Sequence, residues 1–122
     1  MMEKSSMSIE QTNVKPLQPI HTDGAMLFAD RYELLKHIKK LQDIDEIFNP
    51  NILEIGVALG DFSKFLIDTF TPSRFAAVDL FDLHTSETIW GMPTKELFDN
   101  KTQIEYFKSK IQSYFYGELI IE

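Results

Sequence analysis

The chain has 122 residues, room for one small domain and not for two. Its composition, 43% hydrophobic and 25% charged, is that of an ordinary globular protein, and ten Phe, four Tyr and one Trp supply ample core material. The net charge of −7 argues against a nucleic-acid partner, because phosphate binding needs a basic surface. There is no cysteine, which excludes disulfides, thiolate metal sites and a cysteine nucleophile. No apolar run approaches the roughly 18 residues of a membrane span, and the opening Met1-Met-Glu-Lys-Ser-Ser-Met7 lacks the apolar centre of a signal peptide. The expectation is a cytoplasmic protein with no membrane partner.

Residues 1–24 are polar and aperiodic, with Pro16 and Pro19 interrupting them and His21-Thr-Asp-Gly24 reading as a turn. They are expected to form a flexible arm. A first helix is expected over residues 25–41, where Leu27, Phe28, Leu34, Leu35, Ile38 and Leu41 share one face. Asn49-Pro50-Asn51 breaks it. Residues 52–55 are a short branched apolar run suited to a buried parallel strand. A glycine-bounded turn, Gly56 to Gly60, leads into a second helix marked by Phe62, Phe65, Leu66 and Phe70 and ended by Thr71-Pro72.

Residues 74–80 read as a second buried strand with Asp79 at its carboxyl end. A long irregular stretch follows, with room for a short helix near residues 95–98. Thr102-Gln-Ile-Glu105 matches a capping box, and Ile104, Phe107, Ile111, Tyr114 and Phe115 form one face of the helix after it. Gly117 ends that helix, and Leu119-Ile-Ile121 starts another strand. Helix, strand, helix, strand, helix, strand is the alternation of a parallel sheet with right-handed crossovers.

In such a sheet a ligand lies at the carboxyl ends of the strands. Gly56 closes the first strand, Gly60 opens the next helix, and Asp79 ends the second strand 23 positions after Gly56. Glycines let the backbone turn sharply and let a ligand approach closely. The helix start favours negative charge, and a carboxylate at the end of the second strand can accept from both ribose hydroxyls. Together these describe a pocket for an adenosine-bearing cofactor. The dinucleotide fingerprint Gly-x-Gly-x-x-Gly fails at its second and third glycines, where Ala58 and Asp61 stand, and no Gly-Lys-Ser/Thr follows.

The pattern Leu53-Glu-Ile-Gly-Val-Ala-Leu-Gly-Asp-Phe-Ser63 resembles motif I of the class I S-adenosylmethionine-dependent methyltransferases. Its Gly-Asp-Phe-Ser ending is similar to the variant in small-molecule families related to antibiotic-biosynthesis O-methyltransferases. Val78-Asp-Leu80 resembles motif II, and the resemblance covers about residues 26–122. It implies an α/β, Rossmann-like three-layer fold with parallel strands ordered 3-2-1 between flanking helices. It implies S-adenosylmethionine as cofactor and a small-molecule methyl acceptor as partner. By the same resemblance Glu54 orders the glycine loop, and Gly56, Val57, Ala58 and Gly60 approach the methionine part. Ser63 bonds the cofactor or caps the loop, Asp79 binds the ribose, and Leu80 touches the adenine. No catalytic residue is assigned.

The remaining candidates are weaker. His21, His37 and His84 have no metal spacing, and His84, near the ligand edge, is the best placed for a substrate role. Trp90 reads more readily as a residue pinning the long loop to the core than as a pocket wall. Asp79, Asp82 and Asp99 suggest acid–base work or a cation, but the metal ligands of related methyltransferases follow a fourth strand, so no metal is expected. The resemblance implies seven strands in the order 3-2-1-4-5-7-6, of which strands 1 to 3 are visible, truncated before strand 4. The expectation is therefore a fragment or half of a split protein, weak in cofactor binding and inactive alone, with strand 1 at a bare edge open to self-association. Two other readings stand beside methyl transfer: a non-catalytic Rossmann-like interaction module, and a nicotinamide-dependent oxidoreductase.

Overall fold

The computed structural model describes residues 15–122. Of the arm expected over residues 1–24, residues 1–14 lie outside the described residues. Residues 15–24 are exposed throughout and include a single helical turn, α1, Pro19–Thr22, opened by proline at its first position.

The first long helix, α2, spans Arg31–Ile44, not residues 25–41. Its start is set by Asp30, whose extended backbone and side-chain Oδ1, accepting from the Glu33 amide at 2.9 Å, make it the N-cap. Leu27 therefore falls before the helix and is 98% exposed, while Phe28 lies against the His37 ring at 5.3 Å. Apolar periodicity located the helix but ran past the cap. Leu35 and Ile38 carry the packing of α2 onto the core.

Three strands form the main sheet: β1 Asn51–Ile55, β2 Arg74–Val78 and, at the end of the described chain, β5 Glu118–Ile121. All pairings are parallel and the spatial order is β1-β2-β5. Between β1 and β2 runs α3, Asp61–Phe70. A small antiparallel hairpin, β3 Thr88–Ile89 with β4 Met92–Pro93, and the turn α4, Thr94–Leu97, occupy the stretch expected to be irregular. Then α5, Gln103–Gln112, returns the chain to β5. Its capping box is formed as expected. The Glu105 amide donates to Thr102 Oγ1 at 3.3 Å, and Glu105 Oε2 accepts from the Thr102 amide at 3.1 Å.

Alternation along the strands separates two sheet faces. Ile52, Phe75, Ala77, Leu119 and Ile121 meet Leu66, Ile67 and Phe70 of α3 and Phe107 and Ile111 of α5 in one apolar core. Helices α2, α3 and α5 thus all pack on the same face. The opposite face carries Leu53, Ala76 and Ile120 in register, with Ile55 beside Val78. Leu53 is 61% and Ile55 77% exposed. This corrects the expectation of a buried first strand: in β1 only Glu54 is buried, because β1 has one neighbour and one covered face. A third layer is not present among the described residues. Among the described residues β1 lies at an edge of the sheet, as expected.

Replacing the α5 cap, Thr102→Ala, should cost about 1 kcal/mol. A thermal melt should show it as a fall of roughly 4 °C.

Candidate glycine-loop site

The turn after β1 has left-handed backbone at alternate residues, with φ of 81° at Gly56, 49° at Ala58 and 85° at Gly60. Gly60 caps α3, and a Cβ there would stand 3.0 Å from the Phe107 ring, so both conformation and the packing of α5 require glycine. Around Gly56 the space is open, with nothing within 4 Å of where a Cβ would lie.

This loop is held from four sides. The Gly56 amide donates to the Val78 carbonyl at 2.7 Å, extending the β1–β2 ladder by one bond. The Asp79 carboxylate accepts from the amides of Val57 at 2.8 Å and Ala58 at 3.4 Å through Oδ2, and from Phe81 at 2.9 Å through Oδ1. Gln103, fully buried at the first position of α5, donates from Nε2 to the Ala58 carbonyl at 3.1 Å and accepts from the Leu83 amide at 3.0 Å. Lys110, in the last turn of α5, donates to the Leu59 carbonyl at 3.1 Å and pairs with Asp61. Partial burial of Asp79 raises its pKa. The amides of Phe81, Val57 and Ala58, with the Gln103 side chain, outweigh that and hold it below the ordinary aspartate value.

Beneath the loop Glu54 is buried, and both of its carboxylate oxygens accept from Ser63 Oγ, at 3.2 and 2.9 Å. Burial pushes the Glu54 carboxyl above its ordinary value. The Ser63 hydroxyl and the Arg31 charge oppose that rise, and the Asp79 charge adds to it. Ser63 is itself fully buried and acts on the site through Glu54.

A cleft of about 280 Å³ opens over the loop, lined by Glu54, Gly56, Val57 and Ala58 from the expected set. Val57 also belongs to the core by its side chain. Gly60, Ser63 and Asp79 shape the cleft from behind. Leu80 is 87% exposed just past β2 and outside the cleft lining.

Two further residues of the site lie outside the motif. Arg31, the first residue of α2, reaches the cleft and lays its guanidinium 3.9 Å from the Phe62 ring centroid. No local pattern marks it, since its position depends on how α2 docks. Gln103 did carry a signal: it lies four residues before Phe107, on the buried face of α5, where a polar residue needs partners.

Trp90 also lines the cleft. Its expected role as a loop anchor is corrected here, for it is 71% exposed at the tip of the β3–β4 hairpin, and the buried Phe98 and Thr94 anchor that stretch instead. With φ of 53° at Trp90 and 77° at Gly91, the tip has the signature of a type I′ turn. A bulky side chain in that backbone region carries a strain of order 1 kcal/mol or more.

His84 accepts from the Gln103 amide through Nδ1 at 3.1 Å, so it helps to cap α5. Its ring borders a separate cleft of about 230 Å³ with Lys95, Lys101 and Thr102. Among the described residues no group of three His, Asp or Glu side chains is arranged to hold a metal ion, and no helix is long and apolar enough to cross a membrane. No protein-family model matches the chain, and neither a curated protein nor a solved structure matches it.

Glu54 gives the site a pH signature. A carboxyl raised on folding contributes stability that is full below its ordinary value of 4.5 and lost as pH rises through the folded value. Glu54→Gln keeps an acceptor for Ser63 without the buried charge. Its melting temperature relative to the native chain should therefore be more favourable at about pH 7.5 than at about pH 4. A difference that does not change with pH would contradict this.

Proposed function

We propose that the chain forms the S-adenosylmethionine-binding part of a Rossmann-like methyltransferase acting on a small molecule. The observation that carries this reading is the cleft over Gly56. It has open space at a glycine, a cation on one wall in Arg31, a carboxylate in its floor in Glu54, and an adjoining turn braced by Asp79. A guanidinium and a carboxylate across a small cleft suit the carboxylate and ammonium of an amino-acid group, the chemistry at the methionine end of S-adenosylmethionine. When bound, the cofactor supplies a methyl group already activated on a sulfonium. The protein's own part is then to orient it and to keep the loop from moving.

Asp79 fits a ribose less freely than its position suggests. Three amides already bond its carboxylate, and Oδ1, with one of them, retains an acceptor position for a hydroxyl. The same bonds weigh against a nicotinamide dinucleotide. A pyrophosphate needs free loop amides, and those of Val57 and Ala58 are engaged internally by a carboxylate.

Titration calorimetry of the chain should detect S-adenosylmethionine binding and give no comparable heat with NAD. Gly56→Ala should weaken S-adenosylmethionine by about tenfold or more by filling the open space. Absence of any S-adenosylmethionine binding would sink this reading, and tighter binding of NAD would favour an oxidoreductase.

One observation favours a second reading, a non-catalytic interaction module: the bare β1 edge next to an uncovered apolar sheet face. On that reading light scattering should find a defined dimer that the double substitution Leu53→Lys, Ile55→Lys dissociates. A native chain that remains monomeric would count against it.

A further inference from the structure

Trp90 is the chain's only tryptophan, and its hairpin does not call for one. A type I′ tip is best served by Asn-Gly, yet an indole is held there in left-handed backbone, largely exposed, against the glycine-loop cleft. Nothing in the core depends on it, since the buried residues of this stretch are Thr94 and Phe98. Left-handed backbone also occurs at Thr71 and Phe81, so what sets Trp90 apart is a large exposed indole that lines the cleft and that the core does not use.

We propose that Trp90 is the cation-recognising wall of this cleft, its indole face receiving the sulfonium of S-adenosylmethionine; the proposal rests on the cofactor reading above. Two aromatic rings line the cleft, and they are not equivalent. Phe62 already carries the Arg31 guanidinium on its face. Trp90 has no ring or cation against it among the described residues. Tryptophan is also the strongest cation binder of the aromatic side chains.

The charges facing the cleft agree. Arg31 is its one cation, against the carboxylates of Glu54 and Asp61, and Asp61 is further paired with Lys110. An amino-acid group can match Arg31 and Glu54 with its own two charges, which leaves the onium centre for the indole. Transfer of the methyl group turns that sulfonium into a neutral thioether. The Trp90 contact then exists for the cofactor and is lost for S-adenosylhomocysteine, which favours release of the spent form.

The test is calorimetry of S-adenosylmethionine and S-adenosylhomocysteine against the native chain, Trp90→Phe and Trp90→Leu, with native Trp90 emission followed in parallel. Trp90→Leu should weaken S-adenosylmethionine about three- to thirtyfold and leave S-adenosylhomocysteine within about twofold, with Trp90→Phe in between. Native emission should change on adding S-adenosylmethionine. Equal weakening of both ligands would overturn the proposal in favour of a plain apolar contact. No weakening of either, in a chain that binds S-adenosylmethionine, would place Trp90 outside the site. If the native chain binds neither ligand, the cofactor reading fails and this role fails with it. Trp90→Asn, which suits the turn, separates folding from binding: it should melt higher than the native chain and yet bind S-adenosylmethionine more weakly.

Discussion

The Asp79 carboxylate is the constraint on which the rest of the site depends. It stands one residue beyond β2 and fastens the two amides that follow Gly56, so the turns after two neighbouring strands become one rigid piece. Without an acceptor there, the Val57 and Ala58 amides would have to turn elsewhere, leaving the bond from the Gly60 amide to the Val57 carbonyl, 2.7 Å, as the loop's internal tie. Gln103 and Lys110 take the carbonyls of Ala58 and Leu59 as Asp79 takes the amides. The polar groups of the loop are thus matched from both sides, by Asp79 just past β2 and by side chains of α5. A cleft built this way is preorganised: its floor does not have to be assembled by the ligand.

How this was legible in the sequence follows from distance along the chain. The α5 capping box lies within four residues, and its reading survives unchanged in the structure. The glycine turn and the following helix were readable because chain conformation there is set locally, by Gly56, Gly60 and the Phe62, Phe65, Leu66 spacing. The start of α2 was displaced because a lone Asp cap competes with apolar periodicity, and the cap decides where hydrogen bonding begins. The partners of the loop could not be read in the same way. Gln103 meets Ala58 across 45 positions and Lys110 meets Leu59 across 51, and no local pattern ties such pairs together.

Trp90 departs from the expectation for a related reason. A tryptophan in a long connection is ordinarily buried, because its area dominates packing. Here Phe98 and Thr94 already fill that role, and the hairpin places the indole at a position where strain and exposure both count against it. Left-handed backbone without glycine occurs at Trp90 and Ala58, which line the cleft, and also at Glu46, Asn49, Thr71, Phe81, Asp99 and Asn100, which do not, so backbone conformation alone does not mark the site.

The sheet separates this site from the question of what else the chain contacts. α2, α3 and α5 cover one face, and Glu54, Ser63, Gln103 and Lys110 all belong to that covered side or to the helices upon it. The side chains of the uncovered face, Leu53, Ile55, Ala76, Val78 and Ile120, contribute none of the hydrogen bonds that shape the loop; Val78 holds Gly56 through its backbone carbonyl. Parallel sheets are stable when buried on both sides, so this face gains from any cover that excludes water. Such cover would act on the site mainly by stiffening β1, whose carboxyl end leads into Gly56. The loop geometry, braced by β2 and α5, does not itself require it. The proposed cofactor recognition and the burial of this face are therefore separable, and one can fail without the other.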